Sequence, residues 1–374
     1  MLPLVCKRWA RIMKTSTVVW HPACLDMGDI IGQRRGGQHP GVCSANVAVM
    51  TTWFHARPGR FVELGLRSSL RSLKLPSVLS AMLLSTQAAS LRELSLDVTA
   101  CGLCGHELEI LAAIYGLTAL DVRVSERGLN DRGAAMFRAA SSLTALQQLE
   151  VGYAPDPAQG KPVPQRKVSL PRCCELSKLR SQSLRTLTLA MSCGPKDLHV
   201  LRLAGVANLK QCHLLGDSRE SALFRIDATS FTSSAALEQL TLHHQWGMSW
   251  GPGCFDALSA LTSLTLTECA LTEVPSVIAS LTALRILDLS QNVFLEVDDA
   301  DAEMLFGLKL LRSLDLAKPK RSSDDTRVHT ALSMQAVFDM VEDCHGEGRL
   351  LHVNFDPDLS ATYQAETAYF GAIM

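Results

Sequence analysis

One spacing of leucines constrains this chain more than any other feature of its sequence. It is seen at Leu281, Leu284, Leu287, Leu289, Asn292 and Phe294, and residues 258–271 repeat it with a cysteine in place of the asparagine. Apolar pairs separated by one residue recur at Leu94/Leu96, Leu120/Val122, Leu149/Val151, Leu187/Leu189, Cys212/Leu214, Leu240/Leu242 and Leu314/Leu316. Successive copies begin 26, 29, 38, 25, 28, 24, 23 and 27 residues apart. This period indicates a stack of similar units.

Each copy predicts one short β-strand with two inward leucines. Residues two apart in a strand share a face, so Leu287 and Leu289 point into the core while Asp288 points out. A unit this small cannot bury its own apolar face, so neighbouring units stack and share one core. A period in the twenties is that of the leucine-rich repeat. The predicted fold is an α/β leucine-rich-repeat solenoid: a curved parallel β-sheet with helices and irregular segments on its convex side.

The third residue after the second leucine is expected to support the turn that leaves each strand. An Asn or Cys there bonds to backbone groups that burial would otherwise leave unpaired. Asn292 and Cys269 fit this role. Side chains that can still form such a bond are Thr99, Ser125, Ser192, Asp217 and Gln245. The side chains of Ala154 and Pro319 cannot form a hydrogen bond, and each residue begins a predicted surface loop.

The segments between the strands differ in their spacing of apolar residues. Residues 103–116 and 129–141 carry them three and four apart, which predicts helices. Residues 272–280, with Pro275, predict a tighter segment. The region 61–78 is ambiguous, because its two Leu-x-Leu pairs are too close together to be two full repeats.

Composition limits the classes of function that this chain can have. A formal net charge of -1 argues against a nucleic-acid or anionic membrane surface, and no run of 18 apolar residues predicts a membrane span. Twelve cysteines without framework spacing, and no secretory signal, indicate reduced thiols in a cytoplasmic or nuclear protein. The sequence has no phosphate-binding glycine loop, nucleophile elbow or paired-carboxylate motif. We therefore expect no enzymatic activity and no cofactor.

One short stretch has the composition of a metal site. Cys101, Cys104 and His106 offer three soft ligands within six residues. A structural zinc site needs a fourth ligand, usually from a second Cys/His pair, and none lies nearby. We interpret these residues as free thiols and a neighbouring histidine, and predict no metal.

The strand residues that flank the inward leucines form the predicted binding surface, on the concave side. The middle positions are Ser95, Asp121, Glu150, Thr188, His213, Thr241, Thr265, Asp288 and Asp315; the positions after the second leucine are Asp97, Arg123, Gly152, Ala190, Leu215, His243, Thr267, Ser290 and Ala317. The predicted partner-binding residues among them are Asp121, Arg123, Glu150, His213, Thr241, His243 and Asp288. Small polar side chains at the centre, with carboxylates towards both ends, suit a partner with basic or hydrogen-bonding groups. An ordinary solvated sheet surface is the alternative for any single residue.

The loop after the Leu240/Leu242 strand carries two of the five tryptophans, Trp246 and Trp250. Surface tryptophans with adaptable neighbours make good binding anchors, so both are candidate partner-binding residues. The alternative is that they cover the edge of the solenoid.

The N-terminal residues resemble part of another motif. The run Leu-Val-Cys-Lys-Arg-Trp over residues 4–9, followed by Trp20, resembles the second half of an F-box. With repeats after it, the chain is similar to the F-box/leucine-rich-repeat family. The resemblance implies that Leu4, Val5 and Trp9 belong to the F-box helices and that Trp20 closes their small core. An amphipathic cap on the first repeat is the alternative.

The family resemblance implies a function. In that family the F-box binds a Skp-type adaptor of a cullin ubiquitin ligase, and the repeats hold the protein to be ubiquitinated. The implied function is the substrate-recognition subunit of an SCF-type E3 ubiquitin ligase, with an unknown protein substrate on the concave face. The first half of the F-box is missing, so we expect adaptor binding only if the motif is completed. The alternative is a ligase-independent scaffold for protein–protein interaction.

The sequence thus predicts four regions. They are a partial F-box helical segment at 1–26, the solenoid at 27–317, a linker and capping unit at 318–358, and a flexible tail at 359–374. The capping unit is predicted from an amphipathic helix around Val337 and Val341 and a strand that begins at Leu351.

Overall fold

The structure is a computed structural model, and it divides into two compact units. It describes residues 23–26, 63–67, 91–97, 105–124, 133–153, 173–191, 199–216, 224–245, 248–292, 295–317, 332–349 and 351–354. The first unit comprises Met1–Pro171 and Lys178–Leu184, and the second Arg172–Ser177 and Arg185–Met374. Within the described ranges, no helix is both long enough and apolar enough to cross a membrane.

The first unit contains a parallel β-sheet with two helices. Its strands are β1 (Ala23–Asp26), β2 (Glu63–Arg67), β3 (Glu93–Asp97), β4 (Ala119–Val124) and β5 (Gln148–Tyr153). Each strand pairs in parallel with the next one along the chain. Helices α1 (Gly105–Ala112) and α2 (Gly133–Ser142) connect successive strands and lie beside each other. One strand and one return segment thus form each repeat.

The second unit repeats this arrangement of parallel strands and return segments. Its strands are β6 (Thr186–Met191), β7 (His199–Val200), β8 (Gln211–Gly216), β9 (Phe224–Ile226), β10 (Gln239–His243), β11 (Ser249–Trp250), β12 (Ser263–Thr267), β13 (Ile286–Asp288), β14 (Ser313–Asp315) and β15 (His352–Asn354). The main sheet is parallel in the order β6-β8-β10-β12-β13-β14-β15. The short strands form a second parallel sheet, β11-β9-β7.

Helical segments in and next to the second unit are short. There are 3₁₀ helices at Cys173–Lys178 and Ser276–Ser280, and α-helices α3 (Asp299–Gly307) and α4 (Leu332–Gly346). Helix α3 lies beside both α4 and the Ser276–Ser280 segment. The Asp298 side chain caps the start of α3 by accepting a hydrogen bond from the Asp301 backbone N–H at 2.8 Å.

The leucine ladder is confirmed. The buried pairs are Leu94/Leu96, Leu120/Val122, Leu149/Val151, Leu187/Leu189, Cys212/Leu214, Leu240/Leu242, Leu264/Leu266, Leu287/Leu289 and Leu314/Leu316. The register aligns them, with Leu240 opposite both Cys212 and Leu264. Each fully buried leucine contributes roughly 1.5–3 kcal/mol through the hydrophobic effect, so the ladder supplies much of the stability. The fold is the predicted α/β leucine-rich-repeat solenoid.

The turn-supporting position is also confirmed. The side chain of Asn292 accepts a hydrogen bond from the Cys269 backbone N–H at 2.9 Å and donates to the Leu266 carbonyl at 2.6 Å. One repeat earlier, the Cys269 thiol donates to the Leu242 carbonyl at 3.3 Å. In the repeat before that, the Gln245 amide donates to the Leu214 carbonyl at 3.4 Å. Each of these side chains therefore donates a hydrogen bond to a carbonyl near the end of the preceding main-sheet strand.

The connecting segments agree with their predicted character. Helices α1 and α2 lie within or close to the two segments predicted as helical, and 3₁₀ helix forms in the tighter segment that contains Pro275. The predicted C-terminal helix and strand are α4 and β15, and β15 adds to the sheet beside β14.

The structure differs from the N-terminal prediction at one strand, and it identifies the repeat strand in the ambiguous region. Ala23–Asp26 form β1, so the helical prediction for 1–26 is wrong for these four residues. The register places Leu25 opposite Leu66, so this segment extends the ladder by one strand, and pairing with β2 outweighs helix formation there. In the ambiguous region, Glu63–Arg67 is the repeat strand, because Leu64 and Leu66 lie opposite Leu94 and Leu96. The Leu73/Leu75 pair lies outside the described residues.

Candidate partner-binding face and histidine–glutamate cluster

An acidic outward row lies on the sheet of the first unit. The register places Ser95, Asp121 and Glu150 side by side on successive strands. The Ser95 hydroxyl donates a hydrogen bond to Asp121 Oδ2 at 2.8 Å, and Arg123 Nε lies 3.6 Å from the same oxygen. Glu150 is exposed. Ser95 and Arg123 hold one oxygen of Asp121, and the row as a whole presents negative charge.

The outward rows of the second unit include two histidine–threonine pairs. His213 Nδ1 lies 3.0 Å from Thr241 Oγ1, at the same position of the next strand. His243 Nδ1 lies 2.8 Å from Thr267 Oγ1 in the same way, one row along. All four side chains are half-buried. Each histidine is therefore oriented by a threonine of the neighbouring repeat.

Burial affects the protonation of these histidines. It lowers the pKa of His213 from its ordinary value. It also lowers the pKa of His243, and the neighbouring imidazole of His244 acts in the same direction, while the carboxylates of Glu268 and Asp288 oppose it. Both rings favour the neutral form, in which one ring nitrogen keeps a lone pair.

Two aspartates at the end of the sheet support the backbone. Asp288 Oδ1 accepts a hydrogen bond from the Ser290 N–H at 2.9 Å, and Asp315 Oδ1 accepts one from the Ala317 N–H at 2.9 Å. Asp315 Oδ2 also accepts from the Asn354 amide at 2.9 Å. These bonds fix the chain where each strand ends. Asp288, a predicted partner-binding residue, thus also has a structural role.

A cluster of two histidines and one glutamate lies at the end of β10 and β12. His244 Nε2 is 2.9 Å from Glu268 Oε2, and His243 Nε2 is 4.0 Å from Glu268 Oε1. The two imidazole rings meet edge to face with centroids 4.3 Å apart. The three side chains are 33%, 20% and 36% exposed for His243, His244 and Glu268 respectively. Solvent or a partner can therefore reach the cluster.

An uncommon backbone conformation brings this cluster together. His244, Glu268 and Gln291 have φ of 54°, 55° and 63°, and each directly precedes a turn-supporting residue in its own repeat. Non-glycine residues rarely adopt this left-handed region. Because it recurs at one position of successive repeats, it belongs to the turn itself. It places the side chains of His244 and Glu268 next to each other.

The structure locates only part of the sequence-predicted site. It brings Asp121 and Arg123 together, and His213 with Thr241. Trp250 is half-buried, and its ring packs against Phe255 at a centroid distance of 5.6 Å, which favours the edge-covering interpretation. Trp246 lies outside the described residues, as do the F-box candidates Leu4, Val5, Trp9 and Trp20. Cys101, Cys104 and the side chain of His106 also lie outside the described residues.

Sequence reasoning missed His244 and Glu268 as site residues. The adjacent histidines were visible, but Glu268 is 24 residues further along the chain. That separation equals the local repeat period, from Leu240 to Leu264. Aligning the positions before Gln245 and Cys269 would have paired the two residues.

The sequence matches no protein-family model, and no characterised protein is significantly similar to it. Among solved structures, the chain is similar to TLR13 in its complex with ssRNA13, with 21% identity, a TM-score of 0.44, and coverage of 75% of this chain and 35% of that one. It is similar to the Toll–Spatzle complex of Drosophila, with 13% identity, a TM-score of 0.44, and coverage of 82% of this chain and 39% of that one.

A third similar structure is the leucine-rich-repeat domain of the type III effector XopL, with 15% identity and a TM-score of 0.39. It covers 96% of this chain and 97% of that one. This chain spans less than two fifths of the TLR13 and Toll chains. The parallel leucine ladder of the described residues establishes the fold without these likenesses.

Proposed function

We propose that this protein binds another protein through the outward face of its repeat strands, and that it serves as the substrate-recognition subunit of an SCF-type ubiquitin ligase. The observation that carries the binding part is the alignment of solvent-accessible polar side chains in register on successive strands, as at Asp121 and Glu150 or His213 and Thr241. A strand ladder repeats such a row at regular spacing, which gives a long surface for one partner.

The charge of this face indicates the chemistry of the partner. On strands β2 to β5 of the first unit, one outward row carries Asp121 and Glu150, and the next row carries Arg67, Asp97 and Arg123, so three acidic and two basic residues lie in these rows. A segment with lysine or arginine side chains complements the row of Asp121 and Glu150, whereas the phosphates of a nucleic acid would be repelled by it. The histidine–threonine pairs of the second unit offer hydrogen bonds to polar groups. The proposed substrate is therefore a protein with a basic surface segment.

The ligase part of the proposal depends on the F-box resemblance at Leu4, Val5, Trp9 and Trp20. A complex with a Skp-type adaptor tests it directly. Purified adaptor is mixed with the full chain, and with a chain extended upstream to include a complete F-box, and complex formation is measured by size-exclusion chromatography. We expect the extended chain to form a one-to-one complex and the substitution Trp9→Ala to abolish it.

A matched substitution on the repeat face distinguishes adaptor binding from substrate binding. Glu150→Lys should leave the adaptor complex unchanged, because Glu150 lies on β5. If the extended chain fails to bind any Skp-type adaptor, the ligase role is wrong. The second candidate, a ligase-independent scaffold that uses the same face, then remains.

A further inference from the structure

Among the described residues, one group of three potential ligands is compact enough to hold a metal ion. The ligand atoms of His243, His244 and Glu268 all lie within 4.8 Å of one another. Two imidazoles and one carboxylate suit zinc and other divalent first-row transition metals, whereas calcium and magnesium prefer oxygen ligands alone. We propose that these three residues form a binding site for a divalent transition-metal ion of the zinc type. The proposal is independent of the proposed ligase function.

The distances fit tetrahedral coordination with small adjustments. Bonds of about 2.0–2.2 Å to zinc place tetrahedral ligand atoms roughly 3.3 Å apart. The distance from Glu268 Oε2 to His244 Nε2 is 2.9 Å, and the distance from Glu268 Oε1 to His243 Nε2 is 4.0 Å. One distance is slightly shorter than the zinc geometry requires, and the other is slightly longer. Each distance differs from the zinc value by less than about 1 Å.

The hydrogen bonds around the cluster determine which nitrogen of each imidazole keeps its lone pair. When His243 Nδ1 donates to Thr267 Oγ1, at 2.8 Å, the lone pair is on Nε2, which is the atom nearer to Glu268. A metal-bound histidine commonly donates its other N–H to such a group, which fixes the ring orientation. Thr267 therefore orients the His243 ring without itself binding the metal. A carboxylate only accepts hydrogen bonds, so in the metal-free protein the 2.9 Å contact with Glu268 Oε2 places the proton of neutral His244 on Nε2. A metal ion at Nε2 replaces that proton, and the ring then carries its proton on Nδ1, which is buried and has no hydrogen-bond partner among the described residues.

The fold holds two of the three ligands rigidly. His244 and Glu268 occupy the same left-handed turn position in adjacent repeats, at φ of 54° and 55°. Their backbone positions are set by the turn-supporting bonds next to them, from Gln245 to the Leu214 carbonyl and from Cys269 to the Leu242 carbonyl. A site whose ligands are already positioned loses less entropy when the ion binds.

Three protein ligands leave one tetrahedral position of the ion open. Zinc sites with three ligands fill that position with water or with a group from another molecule. The cluster is a fifth to a third exposed, so either can reach it. The site thus has the composition of an open rather than a closed structural zinc site.

The test uses the full chain with Zn²⁺ alone, titrated by isothermal calorimetry, and Co²⁺ as a spectroscopic substitute. We expect one equivalent bound with nitrogen and oxygen ligands, seen as visible cobalt absorption without a thiolate charge-transfer band. That band matters because the chain has twelve cysteines. Glu268→Gln keeps the size and one hydrogen bond of Glu268, and it should weaken binding at least about tenfold. His243→Gln and His244→Asn should do the same.

His213→Gln is the matched control, because this histidine pairs with a threonine in the same manner but lies outside the cluster. It should bind zinc as tightly as the unmodified chain. Circular dichroism confirms that each variant folds. Absence of binding, equal affinity in Glu268→Gln and the unmodified chain, or cobalt bound only through thiolates would each overturn the proposal and leave a metal-free hydrogen-bonded cluster.

Discussion

His244 and Glu268 hold equivalent places in neighbouring repeats, 24 residues apart, and their side chains meet at 2.9 Å. Each is the residue before a turn-supporting side chain, and neither position by itself indicates a site. The stacking of repeats turns that sequence separation into direct contact. The same rule places Ser95 against Asp121, and His213 against Thr241, at 2.8 and 3.0 Å.

The first prediction concerns Asn292. Replacing it by alanine leaves the Cys269 N–H and the Leu266 and Leu289 carbonyls without their side-chain partner in a buried turn. A buried polar group without its partner costs about 1–3 kcal/mol, so we expect the free energy of unfolding to fall by about 2–4 kcal/mol. Urea denaturation of the variant and the unmodified chain measures the difference.

The control for this prediction is Asn354→Ala, which removes an exposed asparagine bonded to Asp315. Its effect should stay below about 1 kcal/mol, as for most surface substitutions. Equal losses in the two variants would mean that the turn does not depend on Asn292.

The second prediction concerns a close approach at Gly216. A Cβ atom there would overlap the backbone carbonyl of His244, with the carbonyl carbon only 2.8 Å away. We expect Gly216→Ala to displace the turn that carries His244 and to lower stability by about 1–3 kcal/mol, the usual cost of overpacking. Thermal unfolding followed by circular dichroism measures it.

Gly152→Ala is the matched control in another strand of the ladder. A Cβ atom at Gly152 would have Arg123 Cγ at 4.0 Å as its nearest neighbour, which is an ordinary contact. This variant should be as stable as the unmodified chain or slightly more so. If both alanine variants behave alike, the packing of the turn against β8 is looser than the structure indicates.

The third prediction is a pH dependence that arises from His213. Burial holds its pKa below the ordinary value of 6.5 in the folded protein, so the unfolded chain binds more protons as the pH falls below 6.5. His213 therefore costs stability on the acid side and has no such effect above that pH. Its strand neighbours Thr188 and Thr241 carry no charge. His213→Gln should become progressively more stable than the unmodified chain from pH 7 to pH 5.

The measurement for this prediction is the free energy of urea unfolding of both proteins at several pH values. The difference between the two proteins, rather than either curve, isolates His213 from the other histidines. A difference that does not change with pH would contradict the burial of this side chain.

Much of the fold could be predicted from sequence because it depends on spacing alone. The strand pairs at Leu240/Leu242 and Leu264/Leu266 are set by alternation, and their stacking by the repeat period. The role of Asn292 followed from the need to pair buried backbone groups. The strand at Ala23–Asp26 was missed because it lies next to residues that match a helical motif, and only pairing with β2 reveals it.

The site was less accessible to sequence reasoning. Outward positions such as His213 and Thr241 followed from alternation, but their mutual hydrogen bond depends on the register between strands. The contact between His244 and Glu268 depends in addition on a left-handed backbone at both residues, which the leucine spacing does not encode. Trp250 was a candidate anchor by composition, and its packing against Phe255 involves the second small sheet, which the leucine spacing does not predict.

We expect partners to bind on the outward face of the strands, and site-specific photo-crosslinking distinguishes this face from the helices. A photo-reactive amino acid is placed at Glu150 on β5, or at the exposed Glu109 on helix α1, and crosslinked proteins are identified by mass spectrometry in cell extracts. We expect position 150 to capture a specific protein with a basic segment, and Asp121→Arg to prevent that capture. Capture of the same protein from position 109 but not from position 150 would contradict binding on this face.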